Sequence, residues 1–288
     1  VKKKKIWLSS AVVFIVIAII AGASIMYMQH KHSTVAHANY INDRTPTLFL
    51  HGTSGNLNSL KYIINEAEDR GVTQDVVVAH VSKDGAVTFE GALTQQARNP
   101  IVQIELEDND NMDLNKNASW IKNVIVALDQ KQHFKHFNFV GHSMGNTSFA
   151  QYMLNYGNDT SLPQLKHQVS IAGTYNGVLG MNEDVNEISV DNAGKPSRMI
   201  APYEGFMKLK PMYKGKNIEV LNIYGDILDG THSDGIVSMS SSKSLKYLLG
   251  DSPKSYKESK YEGADAEHSD IHDNPKVANE IISFLWGK

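Results

Sequence analysis

Gly141, His142, Ser143, Met144 and Gly145 stand in a row, and the order of these residue types allows one kind of chemistry. A serine alcohol is a weak nucleophile unless it is exposed, held in place and deprotonated as it attacks. Glycines two positions before and two after a serine let the backbone pass through a tight strand-to-helix bend that presents the hydroxyl. At ordinary amino-acid usage such a string arises by chance in roughly one chain of this length in ten, so its surroundings must decide. Phe137-Asn138-Phe139-Val140 leads into it with the pattern of a buried strand. Met144 to about Leu154 leads away from it as a helix. This is the context a serine nucleophile requires.

The elements that must position this bend can be read along the chain. Thr47–Leu50, Ile101–Leu106, Val169–Ile171, Ile218–Tyr224 and Ser255–Tyr261 read as strands, being short apolar or alternating runs. Val76–Val78 and Val87–Phe89 flank Lys83-Asp84-Gly85 and predict a hairpin. Leu57, Leu60, Ile64 and Ala67 share one helical face, with Asn56 or Ser59 as the expected cap and Gly71 as the stop. Further helices are expected over Ala118–Leu128, Ser240–Leu249 and Pro275–Trp286. Strands alternating with helices predict a single α/β domain over residues 45–288, its sheet mostly parallel with helices on both faces and an antiparallel edge from the hairpin. The pattern weakens between Thr174 and about Gly215. That stretch is either an insertion covering the mouth of the site or an ordinary surface excursion.

Ahead of this domain, Lys2–Lys5 precede an uncharged apolar run from Ile6 to Met28. The run reaches the ~20 residues needed to span a bilayer, and the lysines should remain cytoplasmic. Residues 1–28 are therefore expected to be a membrane anchor and 29–44 a tether, with the body outside the cell. Ala36-His37-Ala38 offers the alternative of a cleaved, secreted form. The chain has 28 basic and 31 acidic residues, and five lysines fall within the first 32 positions. The remaining body, with 23 basic residues against 31 acids, has a net charge of −8, which disfavours nucleic-acid binding. With no cysteine, disulfides and thiolate metal sites are excluded. No cofactor or metal is expected. Asp226 and Asp229 could join a cation site, although they match no calcium-loop spacing.

Phe139–Gly145, together with the strand and His-Gly motif at Leu48–Gly55, resembles the α/β-hydrolase superfamily. The resemblance covers roughly residues 45 to 286. It points to surface hydrolases of unknown function in Gram-positive bacteria and, more distantly, to small bacterial lipases. It implies that an acid and then a histidine follow the nucleophile along the chain. Asp234-Gly235-Ile236-Val237-Ser238 resembles the family's acid motif, which favours Asp234 over Asp226. His268 stands seven residues before Pro275, as the family's base stands before its final helix, which favours His268 over His272. Ser143, Asp234 and His268 are thus the expected catalytic residues. The backbone N–H groups of Thr53 and Met144 are the expected oxyanion donors. His51 reads as a structural loop residue, and His30, His32, His37, His133 and His136 as solvated ones.

The resulting expectation is hydrolysis of carboxylic esters, with a small-molecule or lipid ester as substrate and the membrane engaged through the N-terminal helix. The alternatives are a catalytically idle surface binding scaffold, or peptidase, thioesterase or acyltransferase chemistry on the same three residues.

Overall fold

The computed structural model describes residues 40–94 and 96–288, together with Gly22 and Met26. Apart from those two positions, the expected anchor lies outside the described residues. Among the described residues no helix is long and apolar enough to cross a membrane.

Eight strands form one sheet: β1 (Thr47–Leu50), β2 (Val76–Val81), β3 (Val87–Glu90), β4 (Ile101–Leu106), β5 (His136–His142), β6 (Gln164–Ile171), β7 (Glu219–Asp226) and β8 (Ser255–Glu262). Their order across the sheet is β3-β2-β4-β1-β5-β6-β7-β8. Every pairing is parallel except β2 with β3, the expected hairpin. Parallel strands need both faces covered, which explains why β1 is wholly buried and β4 nearly so.

On one face, α2 (Leu114–Gln132) and α3 (Met144–Tyr156) bury Trp120, Ile121, Phe149 and Tyr152 against Val102, Phe137 and Phe139. On the other, α1 (Lys61–Asp69) and α8 (Pro275–Trp286) bury Ile63, Ile64, Val277 and Ile281 against Phe49, Val140 and Leu221. Complete burial of one such aliphatic side chain contributes about 1.5–3 kcal/mol. α8 begins where expected because Pro275 suits a first turn and the Asn274 side chain accepts from the Lys276 amide. At its other end it meets the segment that leads into β1: Tyr40 bridges Gly287 and the Ile41 amide donates to Trp286 O at 2.8 Å.

Several boundaries differ from the sequence reading. α1 starts at Lys61, after Leu60, without a side-chain cap. Asn56 is occupied instead by an Asx turn, its Oδ1 accepting from the Asn58 amide at 2.8 Å. α2 begins four residues early because Asp113 caps it, accepting from the amides of Asn115 and Lys116. The expected 240–249 helix is two pieces, α6 (Met239–Lys243) and α7 (Leu245–Leu249). They part at Ser244, whose hydroxyl donates to Ser241 O at 2.6 Å and whose carbonyl accepts from Tyr203 Oη at 3.0 Å. Such bonds compete with the helix ladder.

The 174–215 stretch holds two short helices, α4 (Ala201–Phe206) and α5 (Lys210–Tyr213). Its Tyr175, Tyr203, Phe206, Leu209 and Tyr213 are buried in the core. Asn176 ties it together, donating to Arg198 O at 2.8 Å and accepting from the Ile200 amide at 3.1 Å.

Candidate active site

Ser143 sits between β5 and α3 with φ 53° and ψ −125°, a backbone conformation that costs a side-chain-bearing residue of order 1–3 kcal/mol. The surrounding structure enforces it. The Ser143 amide donates to Ile171 O at 3.0 Å and its carbonyl accepts from the Asn146 amide at 3.1 Å. The Asn146 side chain adds a bond to Ile171 O at 2.9 Å. Gly145 is needed for close approach: a Cβ there would lie 2.7 Å from the carbonyl oxygens of both Leu50 and His51. Gly52 has the same role across the gap, since a Cβ on it would stand 2.6 Å from Ser143 Cβ.

Three side chains from distant parts of the chain meet here in one hydrogen-bonded line. Ser143 Oγ lies 3.0 Å from His268 Nε2, and His268 Nδ1 lies 2.8 Å from Asp234 Oδ2. Asp234 is 1% exposed and held on its other oxygen, which accepts from the amides of Ile236 at 3.0 Å and Val237 at 2.7 Å. The His268 amide also donates to Asp234 O at 2.9 Å, so backbone and ring are fixed to the same residue. The carboxylate only accepts, which places the ring proton on Nδ1 and leaves Nε2 free to take a proton from the serine.

The alternatives raised by the sequence are engaged with other partners. Asp226 pairs with Lys260 Nζ at 3.0 Å. Burial opposes its ionisation, but Lys260 and the Leu228 amide outweigh that and hold its carboxyl below the usual range. Asp229 accepts from Thr231. Among the described residues no group of three or more His, Cys, Asp or Glu side chains is placed to hold a metal. His272 turns its Nδ1 to Asp273 at 3.1 Å. Thr53 and Met144 are neighbours, Thr53 Oγ1 donating to Met144 Sδ at 3.3 Å. Met144 opens α3, where the first amides lack a helical acceptor. His51 is buried and fully engaged, with Nδ1 2.8 Å from Gly52 O and Nε2 accepting from the Leu106 amide at 3.3 Å. Burial holds its pKa below the ordinary value.

One residue escaped the sequence reading. His142, next to the serine, donates from Nε2 to the carbonyl oxygen of His268 at 2.8 Å, and its ring lies 4.7 Å from that of His268 and 4.9 Å from that of His272. Burial, with those two imidazoles beside it, holds its pKa well below the usual histidine range. A neutral His142 thus props the backbone of His268. Its position inside the glycine-serine string was the only available signal.

Above Ser143 opens a cavity of about 410 Å³ lined by residues 52–56, 58–59, 142–143, 268–270 and 272–273. No residue of 174–215 is among them.

The parallel sheet and the serine at its bend define an α/β hydrolase. The chain belongs to the family described as alpha/beta hydrolase of unknown function (DUF915), which matches residues 34–288. It is similar to a gene product of Listeria innocua, with 27% identity, a TM-score of 0.77, and coverage of 84% of this chain and 94% of that one. It also shares its fold with a candidate cell-surface hydrolase of Lactobacillus plantarum, at 22% identity, a TM-score of 0.69 and coverage of 84% and 91%. Comparison with the curated proteins finds no match.

Proposed function

We propose that this protein is a serine hydrolase of carboxylic esters, held outside the cytoplasmic membrane by its N-terminal segment. The line from Ser143 through His268 to Asp234 carries the reading. In this mechanism Ser143 Oγ adds to the ester carbonyl carbon as its proton passes to His268 Nε2. Asp234 steadies the resulting imidazolium. The amides of Thr53 and Met144 receive the oxyanion. The C–O bond then breaks, and His268 protonates the departing alcohol. Water, deprotonated by the same imidazole, repeats the attack on the acyl-serine, releasing the acid and restoring the hydroxyl.

The intact arrangement argues against an idle scaffold, which needs no serine held in a costly backbone conformation. The extracytoplasmic placement rests on Lys2–Lys5 and the apolar run behind them, and on the surface role named for the Lactobacillus plantarum protein. The described residues that line the cavity are Gly, Ser, Thr, Asn, His and Asp, which suits a short or polar acyl group better than a fatty chain. The test is labelling by a fluorophosphonate probe together with hydrolysis of short acyl esters. Both should occur in the parent and vanish in Ser143→Ala. Parent protein that neither labels nor hydrolyses would sink the reading. Amine or thiol acceptors added to the assay separate transfer from hydrolysis by their products.

A further inference from the structure

We propose that the ester cleaved here carries an ammonium group near the scissile bond. The proposal rests on Ser143 being the nucleophile and concerns what its cleft selects. The cavity over Ser143 shares Gly55 and Asn56 with a second cavity of about 510 Å³, which reaches His80, Glu105 and Glu107. Both lie toward the C-terminal end of the sheet, where β2 and β4 end and β5 turns into α3. Asp270 and Asp273 line the first cavity and Glu105 and Glu107 the second, while among the described residues no lysine or arginine lines either.

The flanking loops extend the bias. Residues 105–113 hold Glu105, Glu107, Asp108, Asp110 and Asp113, and residues 262–273 hold Glu262, Asp265, Glu267, Asp270 and Asp273, with no lysine or arginine in either stretch. Compensation is partial. Lys116 stands 3.5 Å from Asp108, Lys260 lies 2.7 Å from Glu262, His80 lies between Glu105 and Glu90, and His272 Nδ1 lies 3.1 Å from Asp273. Among the described residues Glu107, Asp110, Asp270 and Asp273 form no ion pair with lysine or arginine.

A cleft lined by one sign of charge concentrates the opposite charge and repels its own. Attack on the ester also creates an oxyanion, which a negative cleft opposes. An ammonium group on the substrate offsets that opposition as well as aiding binding. Phosphorylated or carboxylated esters are disfavoured on both counts. At separations of roughly 7 Å in a largely aqueous dielectric, each carboxylate favours a monocation by about threefold to fourfold. The pair Asp270 and Asp273 should therefore give about tenfold at low salt.

The experiment compares 4-nitrophenyl esters of glycine, acetic acid and succinic acid (cationic, neutral and anionic acyl groups), with a choline ester to place the cation on the alcohol instead. Each is corrected for its uncatalysed rate. The expected order in kcat/KM puts one cationic ester about tenfold above acetate, with succinate slowest. That advantage should shrink at 0.5 M salt, where the screening length is about 4–5 Å. The cationic-to-neutral ratio should also fall toward one in the double variant Asp270→Asn, Asp273→Asn. Protein that takes the probe at Ser143 yet hydrolyses acetate or a long-chain ester as well as either cationic ester overturns this proposal alone. A cation preference that survives the double variant also overturns it. Protein that neither takes the probe nor cleaves any ester overturns the serine-hydrolase reading as well.

Discussion

Replacing Asp234 by asparagine changes one atom and should silence the site. The wild-type carboxylate accepts from the amides of Ile236 and Val237 on Oδ1 and faces His268 Nδ1 with Oδ2 at 2.8 Å. Two backbone donors require an oxygen on their side, so the asparagine must turn its NH2 toward the imidazole. An NH2 group only donates, so Nδ1 must accept and the ring proton moves to Nε2. That proton then faces Ser143 Oγ, 3.0 Å away, and the ring no longer accepts from the serine. Loss of the working tautomer costs about 10³–10⁴-fold in kcat, or about 4–5.5 kcal/mol of barrier. The backbone bond from the His268 amide to Asp234 O persists, so the fold should stay intact by circular dichroism. Turnover of a chromogenic short-chain ester, with the rate of fluorophosphonate labelling beside it, measures the effect. Asp226→Asn is the control, because that carboxylate pairs with Lys260, and its activity should stay within about threefold. Folded Asp234→Asn protein retaining a tenth or more of parental kcat would refute the reasoning.

Two further outcomes follow from geometry and burial. Gly145→Ala puts a Cβ 2.7 Å from two backbone carbonyl oxygens that cannot swing away, whereas Gly205, inside α4, meets nothing within 4 Å. The first should lower stability by about 1–3 kcal/mol or more and the second raise it by about 0.5–1 kcal/mol, as read from urea midpoints. Buried His142 has a folded pKa below its unfolded value, so its unprotonated state costs no stability above about pH 6.5. As pH falls below that value the unfolded chain takes a proton the native one refuses. Stability is then lost at up to about 1.4 kcal/mol per pH unit. His167, depressed to about 4 by burial and then by Lys166, adds to the same slope from about pH 6.5 down to that value. His142→Gln keeps a side-chain N–H for the His268 carbonyl and should flatten the slope by about one proton. An unchanged slope between pH 7 and pH 5 would count against a neutral, buried His142.

The sheet was legible because its central strands are buried on both faces and so read as apolar runs, such as Leu48–Leu50 or Phe137–Val140. The bend at Ser143 was legible because tight backbone approach leaves glycine in the sequence. The partners were less so: nothing in residues 226–234 or 268–272 alone says which acid meets which imidazole. That choice depends on β7 and the loop after β8 converging on β5, and resemblance to other hydrolases supplied it. The stretch from Thr174 to Gly215 stayed opaque for a physical reason. It is held by side-chain bonds from Asn176, Ser241 and Arg198 to backbone or to one another's loops, and such bonds leave no periodic trace. Helix starts slipped where Asn56 and Asp113 served turns and caps that the apolar pattern does not encode.

The bridge between Tyr40 and Gly287 fixes how the molecule can be handled. It lies toward the end of the sheet where β1 begins, whereas Ser143 lies past the opposite end of β5, which at seven residues puts the two on the order of 20 Å apart. Protein grafted to a bead, a sensor chip or a vesicle by a short linker at Tyr40 therefore presents its cleft to the bulk solution. A soluble polymer should then reach it more readily than a molecule embedded in the support.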